Sequence, residues 1–438
     1  MANIDPGHTA WLLVSTALVM LMVPGLALFY GGMVQGKNVL STFMHSFFAL
    51  GLITIQWVLF GYSLAFGPSQ GGFVGGLDLA FLDGVHQQGD GIPQILFVMF
   101  QGMFAIITPA IISGAFAERM KFSAYCVFTL LWATLVYDPL AHWVWNADGW
   151  LLQLGALDFA GGTVVHLSSG ASALVCAVLV GKRLGYPKTR HQPHNLTMTV
   201  LGAGLLWFGW FGFNAGSALT SGGLAALALA NTQIAAAAGA LAWGLIEMLR
   251  IGKATMLGVA SGMIAGLVGI TPAAGFVGPM PAIAIGALAG LACYGGVLLK
   301  ARLGYDDSLD AFGVHGIGGA AGALLTGVFA STAFNEGGAD GLLAGNAELV
   351  VHQAIGIAAA GAYAAVVTFV LLKVIDAVIG LRVDTDEERE GLDSVLHGES
   401  GYTLGSTTSH VAQREAEEVV EVAAPAPAPA AELAARPS

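Results

Sequence analysis

Charge is what this sequence has least of. Only 10% of its 438 residues are Asp, Glu, Lys or Arg, against 56% apolar residues. A soluble domain carries roughly 25% charged residues, so a chain this long could not cover a water-facing surface with so few. Cysteine is nearly absent. Cys126, Cys176 and Cys293 each lie in an apolar run without CxxC spacing, which excludes a disulfide framework and leaves them as small buried hydrophobes. No basic cluster offers a nucleic-acid surface. The net charge of −12 says little about partners, because much of it sits in the C-terminal tail. Glycine, by contrast, is plentiful: 62 residues, many inside apolar runs. Small residues let helix backbones approach closely in lipid. The class is therefore an all-α integral membrane protein.

A spanning helix needs about 20 mostly apolar residues. On that measure the chain has about eleven spans, near 9–31, 41–66, 93–117, 122–143, 161–181, 196–216, 223–250, 254–271, 281–300, 311–333 and 350–380. The N-terminus MANIDPGHTA has no positive region and carries Asp5, so the first run reads as a helix that stays, not a cleaved signal. All sixteen Lys and Arg fall in alternate loops or in the tail, on one side, while the other loops carry Asp78, Asp83, Asp90, Asp148, Asp158, Glu336, Asp340 and Glu348. The positive-inside rule makes the basic side cytoplasmic. The N-terminus is then outside and the C-terminus inside, which requires an odd number of spans.

His166 and His315 stand inside two of these spans. An ionisable residue at that depth is a functional candidate by default. Their flanks match: Val165-His166 with Gly170-Ala171, and Val314-His315 with Gly319-Ala320. A weaker echo relates Gly25–Gly32 in span 1 to Gly209–Gly216 in span 6. These pairs imply an inverted five-helix repeat, spans 1–5 and 6–10, followed by a final long helix. Transporters place the substrate path at such a repeat interface. Each histidine alone also reads as a packing residue. Burial disfavours the charged ring, and a neutral pair suits a small neutral polar substrate or a proton relay. No carboxylate or cysteine shares their surroundings at ligand spacing, so no metal is expected.

Aromatic residues gather at the expected outer ends of spans. Phe100 and Phe104 are spaced i, i+4 and share a helix face. Trp143 and Trp145 fall in the loop after span 4, and Phe213, Asn214 and Ser217 at the end of span 6. Each is compatible with an interfacial belt. Together, aromatic faces and a hydroxyl also make a site for a small cation. Asp158 just precedes span 5 and reads either as a helix cap or as an anion that draws cations to the mouth.

The stretches PGLALFYGGMVQGKN, FQGMFAIITPA, GALDFAGGTVVH, QPHNL, WFGFNAGSA, SGMIAGLVGITPA, DAFGVHGIGG and GLRVDTDEEREGLDSVLHGE, spread over about residues 8–402, resemble the ammonium transporters of the Amt/Mep/Rh family. The tail motif is nearer the bacterial Amt branch. The resemblance implies ammonium uptake across the cytoplasmic membrane by a homotrimer with one pore per subunit, and neither enzymatic activity nor a cofactor. It implies an outer ammonium site at Phe104, Trp145 and Ser217 with Phe100 nearby, a gate of Phe104 over Phe213, and pore-lining His166 and His315. Asp158 is implied to be needed, for structure or for recruitment. Partners implied are membrane lipid and a PII-type signalling protein at the cytoplasmic face. Two other activities stay open: an ammonium sensor, and an electroneutral gas channel of the Rh type. The linker between Trp145 and Asp158 looks slightly longer than the family form. Residues 1–381 are expected to form the transmembrane domain and 382–410 a cytoplasmic regulatory tail. The Ala-, Pro- and Glu-rich stretch 411–438 is expected to be disordered.

Overall fold

The computed structural model describes residues 4–189 and 191–402. One compact unit runs through Glu399. Among the described residues ten helices are long and apolar enough to cross a membrane. We label them in order with one shorter helix: α1 (Pro6–Met33), α2 (Gly36–Phe66), α3 (Gln94–Phe116), α4 (Phe122–Leu154), α5 (Gly162–Val180), α6 (Leu196–Gly216), α7 (Gly223–Ile251), α8 (Met256–Ile270), α9 (Pro279–Leu303), α10 (Phe312–Phe329) and α11 (Glu348–Val378). The protein is thus a multi-pass membrane protein. The eleven expected spans correspond to these eleven helices, with α8 the one that is too short to count by length. At 15 residues it extends about 22 Å at 1.5 Å per residue. It continues into the turn at Thr271–Gly275, so the backbone keeps going at that depth within protein. α4 runs two residues further than expected before a break at Asn146–Gly149. Trp143 and Trp145 therefore lie within a helix rather than in a loop, and Trp143 is buried.

Glycine decides how closely the two repeats approach. A Cβ on Gly170 in α5 would lie 2.1 Å from the Gly316 nitrogen, and one on Gly319 in α10 would lie 2.6 Å from the Gly162 carbonyl oxygen. The two glycines that matched in the sequence thus pack reciprocally, each against the other repeat's histidine turn. The span 1 and span 6 echo behaves likewise: Gly25 packs against Leu205 and Leu206 of span 6, and Gly209 against Met22 and the Leu18 carbonyl oxygen of span 1.

Among the described residues four helices contain π turns: Trp57–Gly61 in α2, Ala133–Tyr137 in α4, Gly162–Leu167 at the start of α5 and Phe312–Gly316 at the start of α10. A π turn inserts a residue into the helix and re-aims the side chains on it. The last two carry His166 and His315.

The basic end is held by buried charge. Arg183 grips Asp306 through Nε at 2.9 Å and Nη2 at 2.8 Å, and Glu118 through Nη1 at 2.7 Å. Arg119 is fully buried and spends its donors on the carbonyls of Gly181, Ala117, Ala115 and Asp306 and on Ser308 Oγ. Against this platform lie two short helices, α12 (Thr385–Glu390) and α13 (Leu392–His397). Asp393 accepts from the Leu40 and Ser41 backbone, Glu388 from Leu184 N, and Arg382 pairs with Glu388 at 2.6 Å. The start of the tail is therefore part of the same unit as the spans. The expected disorder of 411–438 and the last part of the 382–410 tail fall outside the described residues.

Candidate functional site

The two histidine turns are capped alike. Asp158 sends both carboxylate oxygens to four backbone N–H groups: Gly161 at 2.8 Å, Gly162 at 2.7 Å, Thr163 at 2.8 Å and Val164 at 3.2 Å. Asp307 accepts from Ala311 N at 3.1 Å and Phe312 N at 2.8 Å. Each aspartate stands eight residues before its histidine. These are the orphan donors of a helix start, and a carboxylate there also meets the positive end of the helix dipole. Burial pushes the Asp158 carboxyl above its usual range, opposed by the four N–H groups. Burial raises Asp307 too, opposed by the Lys300 ammonium. Sequence reasoning found Asp158 and missed Asp307, although the shared spacing to the matched histidines was there to read.

The caps place the histidines side by side. Their Nδ1 atoms are 3.2 Å apart, and their ring centroids are 5.2 Å apart at 28°. Two nitrogens at that distance share one hydrogen, one donating and one accepting. Both rings are buried, and His166 Nε2 has no hydrogen-bond partner among the described residues. Trp210 stacks on His166 at 5.3 Å and is itself fixed by Nε1 donating to Thr271 Oγ1 at 2.9 Å.

Above His166 lies Phe213, at 5.9 Å and 21°, and above that Phe104, at 4.3 Å from Phe213. Phe104 in turn meets Phe100 at 5.0 Å and Trp145 at 5.9 Å, both edge to face. Trp145 is held by Nε1 donating 3.0 Å to the Asp158 carbonyl oxygen. Ser217 Oγ donates to Phe213 O at 2.8 Å, and Gly216 beside it packs on Phe100. Each ring from Trp145 to His315 thus touches the next, and Phe100 and Ser217 flank the series at Phe104 and Phe213.

Around the histidines is a cavity of about 20 Å³, lined otherwise by Met22, Leu26, Phe29, Ile107, Ile111, Leu206, Trp210, Phe213 and Ile264. It has room for about one water-sized occupant. Beyond His315, and sharing Phe29 and Ile264, a wider cavity of about 300 Å³ contains Tyr30, Glu247, Ser261 and Asp310. The arrangement is a series of touching aromatic rings that ends on a narrow apolar cavity with two imidazoles, with a wider cavity carrying polar groups beyond His315. No cluster of three or more His, Cys, Asp or Glu suited to a metal occurs among the described residues.

Residues 10–402 match the Ammonium Transporter Family. A Bacillus subtilis ammonium transporter is 55% identical over 401 residues, covering 90% of this chain and 98% of that protein. The Archaeoglobus fulgidus ammonium transporter Amt1 is 48% identical, covering 91% and 99%. The crystal structure of Saccharomyces cerevisiae Mep2 superposes with a TM-score of 0.83 at 41% identity, covering 88% of this chain and 89% of that one. A structure described as a sensor Amt protein reaches 0.83 at 29% identity, covering 89% and 98%.

Proposed function

The chain belongs to the ammonium transporter family, and on that premise we propose how its site carries out ammonium uptake across the cytoplasmic membrane. Ammonium binds at the mouth formed by Phe100, Phe104, Trp145 and Ser217. Each ring contributes up to ~2 kcal/mol once desolvated, and the hydroxyl accepts a hydrogen bond. Asp158 keeps the mouth in shape, because its oxygens are occupied by backbone donors while its carbonyl holds Trp145.

The ion then gives up its proton. Taking a bare unit charge into a medium of ε ≈ 4 costs of order 20 kcal/mol in the idealised limit, and NH3 avoids most of that. Phe104 and Phe213 part to admit it. NH3 passes His166 and His315, which offer one donor and one acceptor each and relay the proton between them. Potassium is rejected because it has no proton to lose. The observation that carries this reading is the imidazole pair, at 3.2 Å, inside a passage otherwise lined by apolar and aromatic side chains.

The acting unit is a homotrimer. Its N-terminus faces outward, its basic end faces the cytoplasm, and a PII-type protein docks on that end. Current recorded on proteoliposomes tests the core of the reading. An ammonium-dependent current is expected, with none from potassium, and His166→Ala combined with His315→Ala abolishes the current or its selectivity. A pH change without current makes the protein an electroneutral gas channel. Binding without flux makes it a sensor.

A further inference from the structure

A second buried polar column stands beside the pore and takes no part in the path above. Gln56 in α2 places Nε2 2.7 Å from Asp138 Oδ2 in α4 and 3.3 Å from Thr134 Oγ1. Gln56 is 1% exposed and Asp138 0%. One oxygen of each, Gln56 Oε1 and Asp138 Oδ1, has no hydrogen-bond partner among the described residues. Among the described residues no Lys or Arg pairs with Asp138. One turn further along α4 is His142, also fully buried. Its Nδ1 is 3.0 Å from the Ala65 carbonyl oxygen and its Nε2 2.7 Å from Ser69 Oγ. A carbonyl only accepts, so Nδ1 carries the hydrogen and Nε2 accepts from Ser69. Ser69 is half-buried, in β1 (Ser69–Gln70) of the short hairpin with β2 (Val74–Gly75). Trp145 of the mouth follows His142 on the same helix.

The backbone is shaped around this column. Two of the four π turns carry the pore histidines. The other two begin directly after Gln56 and end directly before Asp138. A Cβ on Gly61 would lie 2.7 Å from the Gln56 amide, so the glycine makes room for it. π turns gather at functional sites.

A carboxylate inside a membrane protein with no cation beside it and one bare oxygen is costly. A proton removes the charge and also satisfies both unpartnered atoms. With Oδ1 protonated, its O–H can donate to Gln56 Oε1, while Oδ2 keeps accepting from Nε2. The acid and the amide then form a closed two-bond pair. We propose that Asp138 is a proton-binding site, its carboxyl held as the neutral acid against the Gln56 amide. On loading, an O–H bond forms at Oδ1 and hydronium leaves as water; release is the reverse. The titratable groups around it are Tyr137 next in sequence, His142 on its helix, Asp148 beyond His142 and Tyr62 on the segment packed against it.

Infrared spectra of the full chain in liposomes test this. At neutral pH the wild type shows a carboxylic-acid carbonyl band that is lost in Asp138→Asn. In Gln56→Leu the band persists but shifts, because its hydrogen-bond partner is gone. Absence of an Asp138-dependent band overturns the proposal, as does a band that Gln56→Leu leaves in place. If Asp138→Asn does not fold, the Gln56→Leu shift still decides, since that variant keeps the acid.

Discussion

Gly170 and Gly319 do more for the site than their size suggests. Each lets one histidine turn lie on the backbone of the other repeat, and a Cβ on Gly170 would meet backbone atoms that cannot move aside. Alanine ordinarily favours a helix interior over glycine by about 1 kcal/mol. Here overpacking, at about 1–3 kcal/mol, outweighs it. Gly170→Ala is expected to lower thermal stability and abolish flux by separating the imidazoles. Gly204→Ala, with open space around its Cα, should be neutral or mildly stabilising. Equal melting temperatures for the two variants would remove the argument. The aspartate caps make a second pair. Asp158→Asn turns one acceptor oxygen into a donor facing backbone N–H groups, and each unsatisfied buried donor costs about 1–3 kcal/mol. Asp307→Asn does the same to one donor, since each of its oxygens holds a single N–H. Both variants should lose flux, with Asp158→Asn the less stable in a detergent melt because two donors are stranded there.

At the scale of elements, much was legible. Long apolar runs fixed ten helices within a few residues, because a membrane demands length and apolarity and both are local. The histidines, the aromatic series and Asp158 were readable from residue type, from matched flanks and from the family resemblance. The π turns were not. They follow from how glycine-rich helices meet, and no period in the sequence announces one extra residue per turn. Asp138 was passed over for the same reason, since its partner Gln56 lies in another span. α8 shows the limit of length as a criterion. It is short, and it is anchored by contacts from α7 instead: Gly262 packs on Trp243 and Gly266 on Ala235. Its start is tied by Glu247, which accepts from Thr255 N at 2.8 Å, from Thr255 Oγ1 and from Trp243 Nε1. Glu247→Ala is expected to destabilise the fold by about 1–3 kcal/mol through stranded donors. Since Glu247 also lines the exit cavity, flux in proteoliposomes should fall with it. A variant as stable as the wild type would show that α8 holds its place without this tie.

Over the whole molecule, the basic end works as one piece that joins loops far apart in sequence. Glu118, Arg183, Asp306 and Glu388 connect the ends of α3, α5 and α9 to the tail helix α12. Burial would raise the Glu118 carboxyl, but the Arg183 guanidinium and hydrogen bonds from Gln35 N and Asn38 outweigh it and hold it low. Asp306 is likewise held low against burial, by its hydrogen bonds and charge pairing with Arg183. A carboxyl whose pKa is depressed on folding stabilises the fold above its ordinary value, and that stabilisation is lost as pH falls through the folded value. The ordinary values are 4.5 for Glu118 and 3.8 for Asp306. The platform should therefore be at full strength from about pH 6 upward and weaken only below those values. Removing Arg183 is a different perturbation from acid, because it strands two buried carboxylates at neutral pH. Losing one partner of a buried pair costs about 3–5 kcal/mol. Arg183→Met should accordingly melt well below the wild type at pH 7. Its deficit should narrow on acidification, as the stranded carboxyls protonate. The tail should be released with it, read as faster proteolysis near Asp384–Glu390. A deficit that stays constant from pH 7 to pH 4 would mean that the pair contributes packing and not charge.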